Sequence, residues 1–240
     1  MKFSGTKTYG WESAIIGMRL PMSKNYEDAL SKIDSNYNSE IVWNEENIEK
    51  YGKGKWYYYV LGPNDLKVAK NLINADHNTN VKGCGSPNSK FMQMIEVWVA
   101  IEAPLAFWKE FDTYRHTVKN STSTMHRIQK YEITEDCFEK NPLTNEISSV
   151  IHLDELENLR LKFLETYDKS VWYDLIYGLG DSWLQTRMVH MNYETIRNMV
   201  TWRKNHKQNC WSGKDNEFMS NFISWAKTLP YANELLFDGE

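Results

Sequence analysis

The sequence predicts an α+β fold, because a few strand-like segments in its first half are followed by many helix-like segments in its second half. From Ile95 to Ile101, apolar residues alternate with the other residues of the segment. This period of two is typical of a half-buried strand. Apolar residues at helical spacing recur in the second half, and we expect helices over residues 170–190, 192–206 and 215–228.

Several further elements are expected in the first half of the chain. A first strand, or a junction between a strand and a helix, is expected around Tyr9. The aromatic run Trp56–Leu61 predicts a second strand, which ends at a Gly-Pro turn signal. A helix capped by Asn64 is expected over residues 64–75, followed by a loop over residues 76–90.

Three elements are expected after the strand that ends at Ile101. Pro104 suits the first turn of a helix, where its missing N–H group costs no hydrogen bond. Residues 129–151 lack a regular pattern and are expected to be irregular. Asp154 is expected to cap a further helix, with Tyr167 on its inward face.

The composition excludes several classes of protein. With 240 residues the chain can bury a sizeable core, and we expect a single domain over residues 1–240. Aromatic residues make up 14 % of the chain, which excludes a disordered protein. The formal net charge of −4 argues against a general nucleic-acid binder, while a local basic pocket for a nucleotide phosphate stays compatible with it.

The cysteine, histidine and hydropathy patterns predict a cytoplasmic protein without a metal site. Three scattered cysteines are too few for a disulfide framework. No two histidines stand at a ligand spacing of three or four residues, and none belongs to a recognised zinc pattern. The first ten residues lack the apolar core of a signal peptide, and no apolar run approaches membrane-spanning length.

The helix expected from Pro104 leads into a polar segment. That segment carries a cation, an amide and hydroxyls, on Arg115, Asn120, Ser121 and Ser123. These side chains are too polar for a core. A strand, a helix and a polar loop in succession commonly present a binding site on a rigid scaffold.

Residues 103–126 resemble the signature of the flavin-dependent thymidylate synthases. That family carries the pattern R-H-R-x-x-S-x-N-E-x-S-x-R-Y after a strand and a helix that begins with Ala-Pro. Aligned without gaps from Ala103-Pro104, Arg115 takes the third position of the pattern, Asn120 takes the Asn and Ser123 takes the second Ser.

A second segment resembles a late helix of the same family. Asn192, Asn198 and Arg203 stand six and five residues apart, as two Asn and one Arg do in that helix. If Asn192 caps the helix, Asn198 and Arg203 lie about one and a half turns apart and can reach two parts of one large ligand. The resemblance covers residues 60–230.

The resemblance implies an enzyme that delivers a methylene group from methylenetetrahydrofolate and a hydride from reduced FAD to C5 of dUMP, with NADPH as reductant. It also implies a small antiparallel sheet flanked by helices, and sites formed between subunits of a homotetramer. Arg203 would be the catalytic residue, holding and polarising the uracil. The other roles would divide between the flavin (Arg115, Asn120, Asn192 and Asn198) and the nucleotide (Ser121 and Ser123).

The chain departs from the family pattern at several positions. In the preferred register, Ser121 replaces a Glu, Met125 an Arg and Glu110 a Gln. A rival register places Arg115-His116 on the leading Arg-His and Arg127 on the last Arg, but it loses the Asn and both Ser. Each lost charge-assisted hydrogen bond costs about 1.5–3 kcal/mol. These changes leave open a divergent enzyme with a remodelled pocket, another pyrimidine nucleotide as substrate, or a protein that binds a nucleotide or flavin without turnover.

Each candidate also has a purely structural interpretation. Arg115 would pair with Asp112 or Glu110 at the surface, and Arg203 would complement the dipole of its helix. The Asn and Ser residues of the polar segment would cap turns. The alternative from a different functional class is a protein-interaction module that uses exposed aromatic side chains.

Overall fold

The computed structural model describes residues 1–38, 58–78 and 87–237. Its centre is a four-stranded antiparallel sheet with the strand order β1-β4-β6-β5, and a separate antiparallel pair joins β2 and β3. The strands are β1 (Lys2–Tyr9), β2 (Asn36–Asn38), β3 (Tyr58–Val60), β4 (Glu96–Pro104), β5 (Val118–Ser121) and β6 (Leu184–Asn192).

Helices flank this sheet and dominate the second half of the chain. The predicted α+β class, with a small antiparallel sheet flanked by helices, is therefore confirmed. The helices are α1 (Trp11–Arg19), α2 (Tyr26–Ser31), α3 (Pro63–Asn78), α4 (Leu105–Phe111), α5 (Thr124–Arg127), α6 (Leu153–Thr166), α7 (Lys169–Gly178), α8 (Tyr193–Arg203), α9 (Asn209–Ser212), α10 (Phe222–Lys227) and α11 (Ala232–Leu235). None of the helices in these described parts is both long and apolar enough to cross a membrane.

Strands β4 and β6 form the middle of the sheet and position the helices that follow them. Their pairing runs from Glu96 opposite Asn192 to Pro104 opposite Leu184. Because α4 leaves the sheet at Pro104 and α8 leaves it at Asn192, the two helices start at opposite ends of the sheet.

The main hydrophobic core lies on one face of the sheet. The alternating residues Val97, Val99 and Ile101 of β4 are fully buried there, as the period-two pattern predicted. Large aromatic side chains of α4 and of the helices after β6 complete this core: Phe107, Trp108, Phe111, Tyr193, Trp211 and Phe222.

The prediction of a helix over residues 170–190 is wrong for its second part. Helix α7 ends at Gly178, and β6 begins at Leu184. Leu, Gln, Arg and Met in this segment are all good helix formers. Pairing with β4 on one side and β5 on the other overrides that preference.

Helix α3 begins at Pro63, one residue before the predicted cap Asn64. Its first free N–H groups are capped by Asp34, about thirty residues earlier in the sequence. Both carboxylate oxygens of Asp34 accept hydrogen bonds of 2.9 Å from the backbone N–H groups of Asn64 and Asp65. The helix extends to Asn78, so residues 76–78 of the predicted loop are helical.

Other boundaries are corrected locally. Tyr167 is 74 % exposed, with a φ of 52° at the end of α6, and does not face inward. Asp154 lies in the first turn of α6, after the cap position. Within residues 215–228 only the segment of α10 is helical. Of the strand predicted from Trp56, residues 58–60 are confirmed and residues 56 and 57 lie outside the described chain, as do residues 79–86 of the predicted loop.

Candidate functional site

A cleft of about 480 Å³ lies where the turn after α4 meets the C-terminal half of α8. Its lining residues are Thr113, Tyr114, Arg115, Asn198, Trp202 and Arg203. Arg115, Asn198 and Arg203 were candidates from two segments that lie far apart in the sequence. The structure brings these three side chains to one cleft.

The cleft forms because the C-terminal ends of α4 and α8 meet. The two helices start at opposite ends of the sheet and both bury an apolar face in the main core. Arg203, the last residue of α8, contacts Glu110 near the end of α4. The turn that follows α4 includes His116 in the left-handed region, with a φ of 59°, and leads the chain into β5.

The turn is anchored to the sheet through Asp112. Its carboxylate accepts hydrogen bonds of 3.1 Å from Arg187 on β6 and lies 2.8 Å from the ammonium of Lys119 on β5. Burial alone would raise the pKa of Asp112, but the hydrogen bonds from Lys119 and Arg187 outweigh it and lower that pKa below its usual value. The negative charge therefore stays available to hold the turn against both strands.

The guanidinium of Arg203 is fixed on several sides. One terminal nitrogen lies 2.6 Å from Oε2 of Glu110, and Nε donates a hydrogen bond of 2.8 Å to the hydroxyl of Tyr114. The guanidinium carbon lies 5.0 Å from the ring centre of Trp211 and 5.5 Å from that of Tyr114. With its side chain only 18 % exposed, Arg203 is pre-organised and its charge is balanced by Glu110.

His206 shares the carboxylate of Glu110 with Arg203. Its Nε2 lies 3.2 Å from Oε2 of Glu110, and its Nδ1 accepts a hydrogen bond from the backbone N–H of Gln208. Burial and the neighbouring Arg203 lower the pKa of His206 below its ordinary value of 6.5, against the opposing influence of Glu110. Because Nδ1 accepts that hydrogen bond, the neutral ring carries its proton on Nε2, the nitrogen that lies 3.2 Å from Oε2 of Glu110.

Tyr114 stays protonated beside these groups. Burial raises the pKa of its phenol above the ordinary value of 10.0, although the hydrogen bond from Arg203 opposes this shift. Its oxygen therefore accepts from Arg203 as a neutral hydroxyl.

The lowered pKa of His206 predicts a pH-dependent part of the folding stability. Below pH 6.5 the unfolded chain takes up a proton that the folded protein resists, so stability falls as pH decreases from 6.5 towards the folded pKa. We expect His206→Gln, which keeps a donor for Glu110, to lose this component. The measurement is urea unfolding at about pH 7.5 and about pH 5.5. The same pH-dependent loss in both proteins would contradict the assignment.

Arg115 is exposed in the turn after α4. It does not form the surface ion pair with Asp112 or Glu110 that its structural interpretation predicts. Asp112 pairs with Lys119 and Arg187, and Glu110 pairs with Arg203, so both expected carboxylates have other partners. Among the residues that the structure describes, no hydrogen bond or ion pair holds the Arg115 guanidinium. Its charge therefore faces the cleft without a counter-ion in the described parts of the chain.

Asn198 and Trp202 form the outer wall of the cleft on α8. The indole N–H of Trp202 donates a hydrogen bond of 3.0 Å to the amide oxygen of Asn198, one turn earlier on the helix. No described residue accepts a hydrogen bond from the amide nitrogen of Asn198, so its two N–H donors stay available.

Asn192 caps α8, as predicted. Its side-chain oxygen accepts a hydrogen bond of 2.9 Å from the backbone N–H of Thr195. This position lies at the opposite end of α8 from Arg203, roughly 16 Å away along the helix axis at 1.5 Å per residue. Asn192 therefore does not line the cleft in this chain.

The remaining candidates lie on the edge strand and just after it. Asn120 and Ser121 are exposed on β5, opposite Met188 and Arg187 of β6. Ser123 caps α5, where its hydroxyl oxygen accepts from the backbone N–H of His126 and lies 2.7 Å from Nδ1 of the same residue. None of these three lines the cleft.

The rival register placed a functional arginine at position 127. The Arg127 guanidinium donates a hydrogen bond of 2.8 Å to the hydroxyl of Tyr131 and lies over its ring. It is not among the lining residues.

Neither the buried Cys210 nor a metal-binding cluster of described residues adds chemistry to this site. Burial raises the pKa of the Cys210 thiol to about 12, which leaves it uncharged and unreactive. Across residues 1–38, 58–78 and 87–237, no group of three or more His, Cys, Asp or Glu residues is placed to hold a metal ion.

Sequence reasoning missed Tyr114, His206 and Trp202 as parts of this site. It noted Glu110 only as a departure from the family pattern and as a candidate surface partner of Arg115. One signal was available, since Asn198 and Trp202 stand four residues apart and so share a helix face. The contact of His206 with Glu110 joins residues almost a hundred positions apart, and no local pattern predicts it.

Comparison with known proteins supports the fold. No protein-family model matches the sequence, and no curated protein matches it. The structure is similar to a crystal structure of thymidylate synthase X from Helicobacter pylori with FAD and dUMP, with a TM-score of 0.63 and 13 % identity over 100 % of this chain and 98 % of that chain. A second structure of the same Helicobacter pylori protein, complexed with FAD and dUMP, has a TM-score of 0.61 and 14 % identity over 100 % of this chain and 99 % of that one. At this identity the likeness is one of fold, and the chain therefore shares the fold of these flavin-dependent thymidylate synthase structures along its whole length.

Proposed function

We propose that the cleft is the nucleotide site of a divergent enzyme that methylates dUMP, or a related pyrimidine nucleotide, with methylenetetrahydrofolate and reduced FAD. The observation that carries this proposal is the convergence of Arg115, Asn198 and Arg203. These residues were derived from two separate motifs of the flavin-dependent thymidylate synthases. A chance surface arrangement has no reason to bring both motifs to one cleft.

The two arginines suit different parts of a nucleotide. Arg115 is exposed and has no protein counter-ion among the described residues, so its planar fork is available for a phosphate. Arg203 is aligned by Glu110, Tyr114 and Trp211. Directed at a uracil carbonyl, it would stabilise the negative charge that develops on the ring during methylation.

The residues present suit the polar parts of a flavin. Asn198 offers amide donors inside the cleft, and Arg115 is a phosphate ligand for a flavin as well as for a nucleotide. Asn120 and Asn192 would hold cofactor parts that lie outside this cleft. Reduced FAD would supply a hydride and the folate a one-carbon unit, while the protein orients the reactants and excludes water.

FAD is far larger than a mononucleotide, and a cleft of about 480 Å³ suits the smaller ligand. We propose that neighbouring subunits of a homotetramer complete the flavin site. Ser121 and Ser123 are proposed to reach the nucleotide, Ser121 from an exposed edge-strand position and Ser123 once its capping contact is exchanged.

A second candidate function, binding of a nucleotide or flavin without turnover, is favoured by Glu110. Its carboxylate balances the charge of Arg203 at 2.6 Å, whereas the family pattern has a neutral Gln. Ser121 and Met125 likewise lack the charges of the family pattern. An arginine neutralised in this way withdraws less charge from a bound uracil.

The two candidates separate in a direct experiment. We expect the protein as purified to be yellow with oxidised FAD and, after reduction with NADPH, to release tritium from dUMP labelled at C5 when methylenetetrahydrofolate is added. Flavin binding without tritium release favours the non-catalytic candidate. A colourless protein that takes up neither FAD nor dUMP contradicts both.

We further propose that the chain is a single cytoplasmic domain.

A further inference from the structure

Trp202 is the most unusual side chain of the cleft. It is 62 % exposed, although burying an indole is among the larger hydrophobic gains available to a folding chain. At the edge of the cleft, this exposed indole is available to contact a ligand bound there.

Among the described tryptophans, Trp202 alone lacks contact with another aromatic ring. Every other tryptophan among the described residues contacts an aromatic ring of the protein: Trp11, Trp98, Trp108, Trp172, Trp183, Trp211 and Trp225. Trp202 has no such ring partner in those parts of the chain. No aromatic ring of the described chain therefore covers either face of the indole.

The indole is nevertheless held in place. Its N–H group donates to the amide oxygen of Asn198 at 3.0 Å, and the four-residue spacing on α8 keeps the two side chains on one helix face. A ring fixed by a hydrogen bond at its edge loses little rotational freedom when a flat ligand stacks on it.

The rest of the cleft specifies what such a ligand carries. Arg115 lines the same cleft and has no protein counter-ion among the described residues, and the amide nitrogen of Asn198 still has donors to offer. Aromatic face, cation and amide donors together match a planar nitrogen heterocycle that bears a phosphate.

We propose that Trp202 is a stacking platform for the heterocycle of an anionic nucleotide whose phosphate binds Arg115. The proposal rests on the proposed nucleotide site and adds the residue that recognises the ring. Two rings share this chemistry, the pyrimidine of dUMP and the isoalloxazine of a flavin nucleotide.

The test compares ligands with and without a ring. Calorimetric titrations of the full chain would use dUMP, FMN and 2-deoxyribose 5-phosphate, the last of which keeps the sugar and phosphate of dUMP. We expect Trp202→Ala to weaken binding of the ring that stacks by about tenfold. The same variant should bind 2-deoxyribose 5-phosphate as the wild type does, and Trp202→Phe should retain most of the affinity.

Arg115→Gln tests the phosphate contact separately from the ring contact. This variant should weaken binding of 2-deoxyribose 5-phosphate, dUMP and FMN alike, because all three carry a phosphate. Tyr177→Ala removes an aromatic ring that is 77 % exposed on α7, outside the cleft, and should change none of the affinities. Loss of dUMP affinity alone in Trp202→Ala identifies the pyrimidine as the stacked ring, and loss of FMN affinity alone identifies the flavin.

Unchanged affinity of Trp202→Ala for both dUMP and FMN would overturn the platform while leaving the proposed function intact. Equal weakening for 2-deoxyribose 5-phosphate would also overturn it, because the indole would then only shape the cleft. If the wild type binds neither nucleotide, the proposed function and the platform fail together. A changed oligomeric mass with unchanged nucleotide affinity would assign the indole to a contact between copies of the chain.

Discussion

Arg203→Ala is expected to lower kcat by at least about a hundredfold, the usual effect of removing one preorganised donor from a developing negative charge. The fold should survive, because Arg203 is the last residue of α8 and the substitution leaves the apolar side chains of the main core in place. His206 remains to pair with Glu110 in the variant. Tritium release from dUMP measures the activity, and circular dichroism measures the fold.

Two further variants sharpen this prediction. Arg203→Lys keeps the charge but loses the planar fork that reaches Glu110 and Tyr114 together, so we expect partial activity. Lys207→Ala removes an exposed cation four residues later, outside the cleft, and should behave as the wild type. Near-native turnover of Arg203→Ala would remove Arg203 from the catalytic machinery.

Trp211→Ala is expected to lower the free energy of unfolding by about 3–5 kcal/mol. The side chain is fully buried, with its ring centre 4.3 Å from that of Phe107 and 5.2 Å from that of Phe222. It also lies under the Arg203 guanidinium at 5.0 Å, so the variant should lose turnover as well as stability. Urea unfolding monitored by circular dichroism measures the change.

The chain offers a matched control for this substitution. Trp202→Ala removes the same atoms from a side chain that is 62 % exposed, and it should cost far less stability. Trp211→Phe should fall between them. The indole N–H of Trp211 is buried without a protein acceptor among the described residues, so phenylalanine loses ring area but also sheds an unpaired donor. Equal losses for Trp211→Ala and Trp202→Ala would contradict the assignment of Trp211 to the core.

Part of the candidate site could be predicted from local patterns. Asn192 was predicted as a helix cap, and it accepts a hydrogen bond from Thr195. Arg115, Asn198 and Arg203 were selected from two motifs, and the structure places them in one cleft. Their individual roles stay predictions until variants are measured.

The partners of these residues could not be predicted in the same way. Glu110 was a candidate counter-ion for Arg115, because the two are near in sequence. In the structure Glu110 pairs with Arg203 and His206, which α8 and the segment after it bring from the other end of the sheet. Which cation a carboxylate meets depends on where the helices end in space, and sequence distance does not contain that information.

By itself, the sequence determined the α+β class, the strand pattern from Ile95 to Ile101 and the capped start of α8, since the last two depend on neighbours within one or two turns of the chain. The structure extends that strand to Pro104, which precedes the first turn of α4 instead of lying in it. Only the tertiary structure decided that residues 184–192 form a strand and that Asp34 caps α3. It alone also decided that Arg115 faces the cleft without a counter-ion in the described chain. Hydrogen bonds and ion pairs between distant segments outweigh local preference at these positions, because a buried polar group must find a partner wherever the fold supplies one.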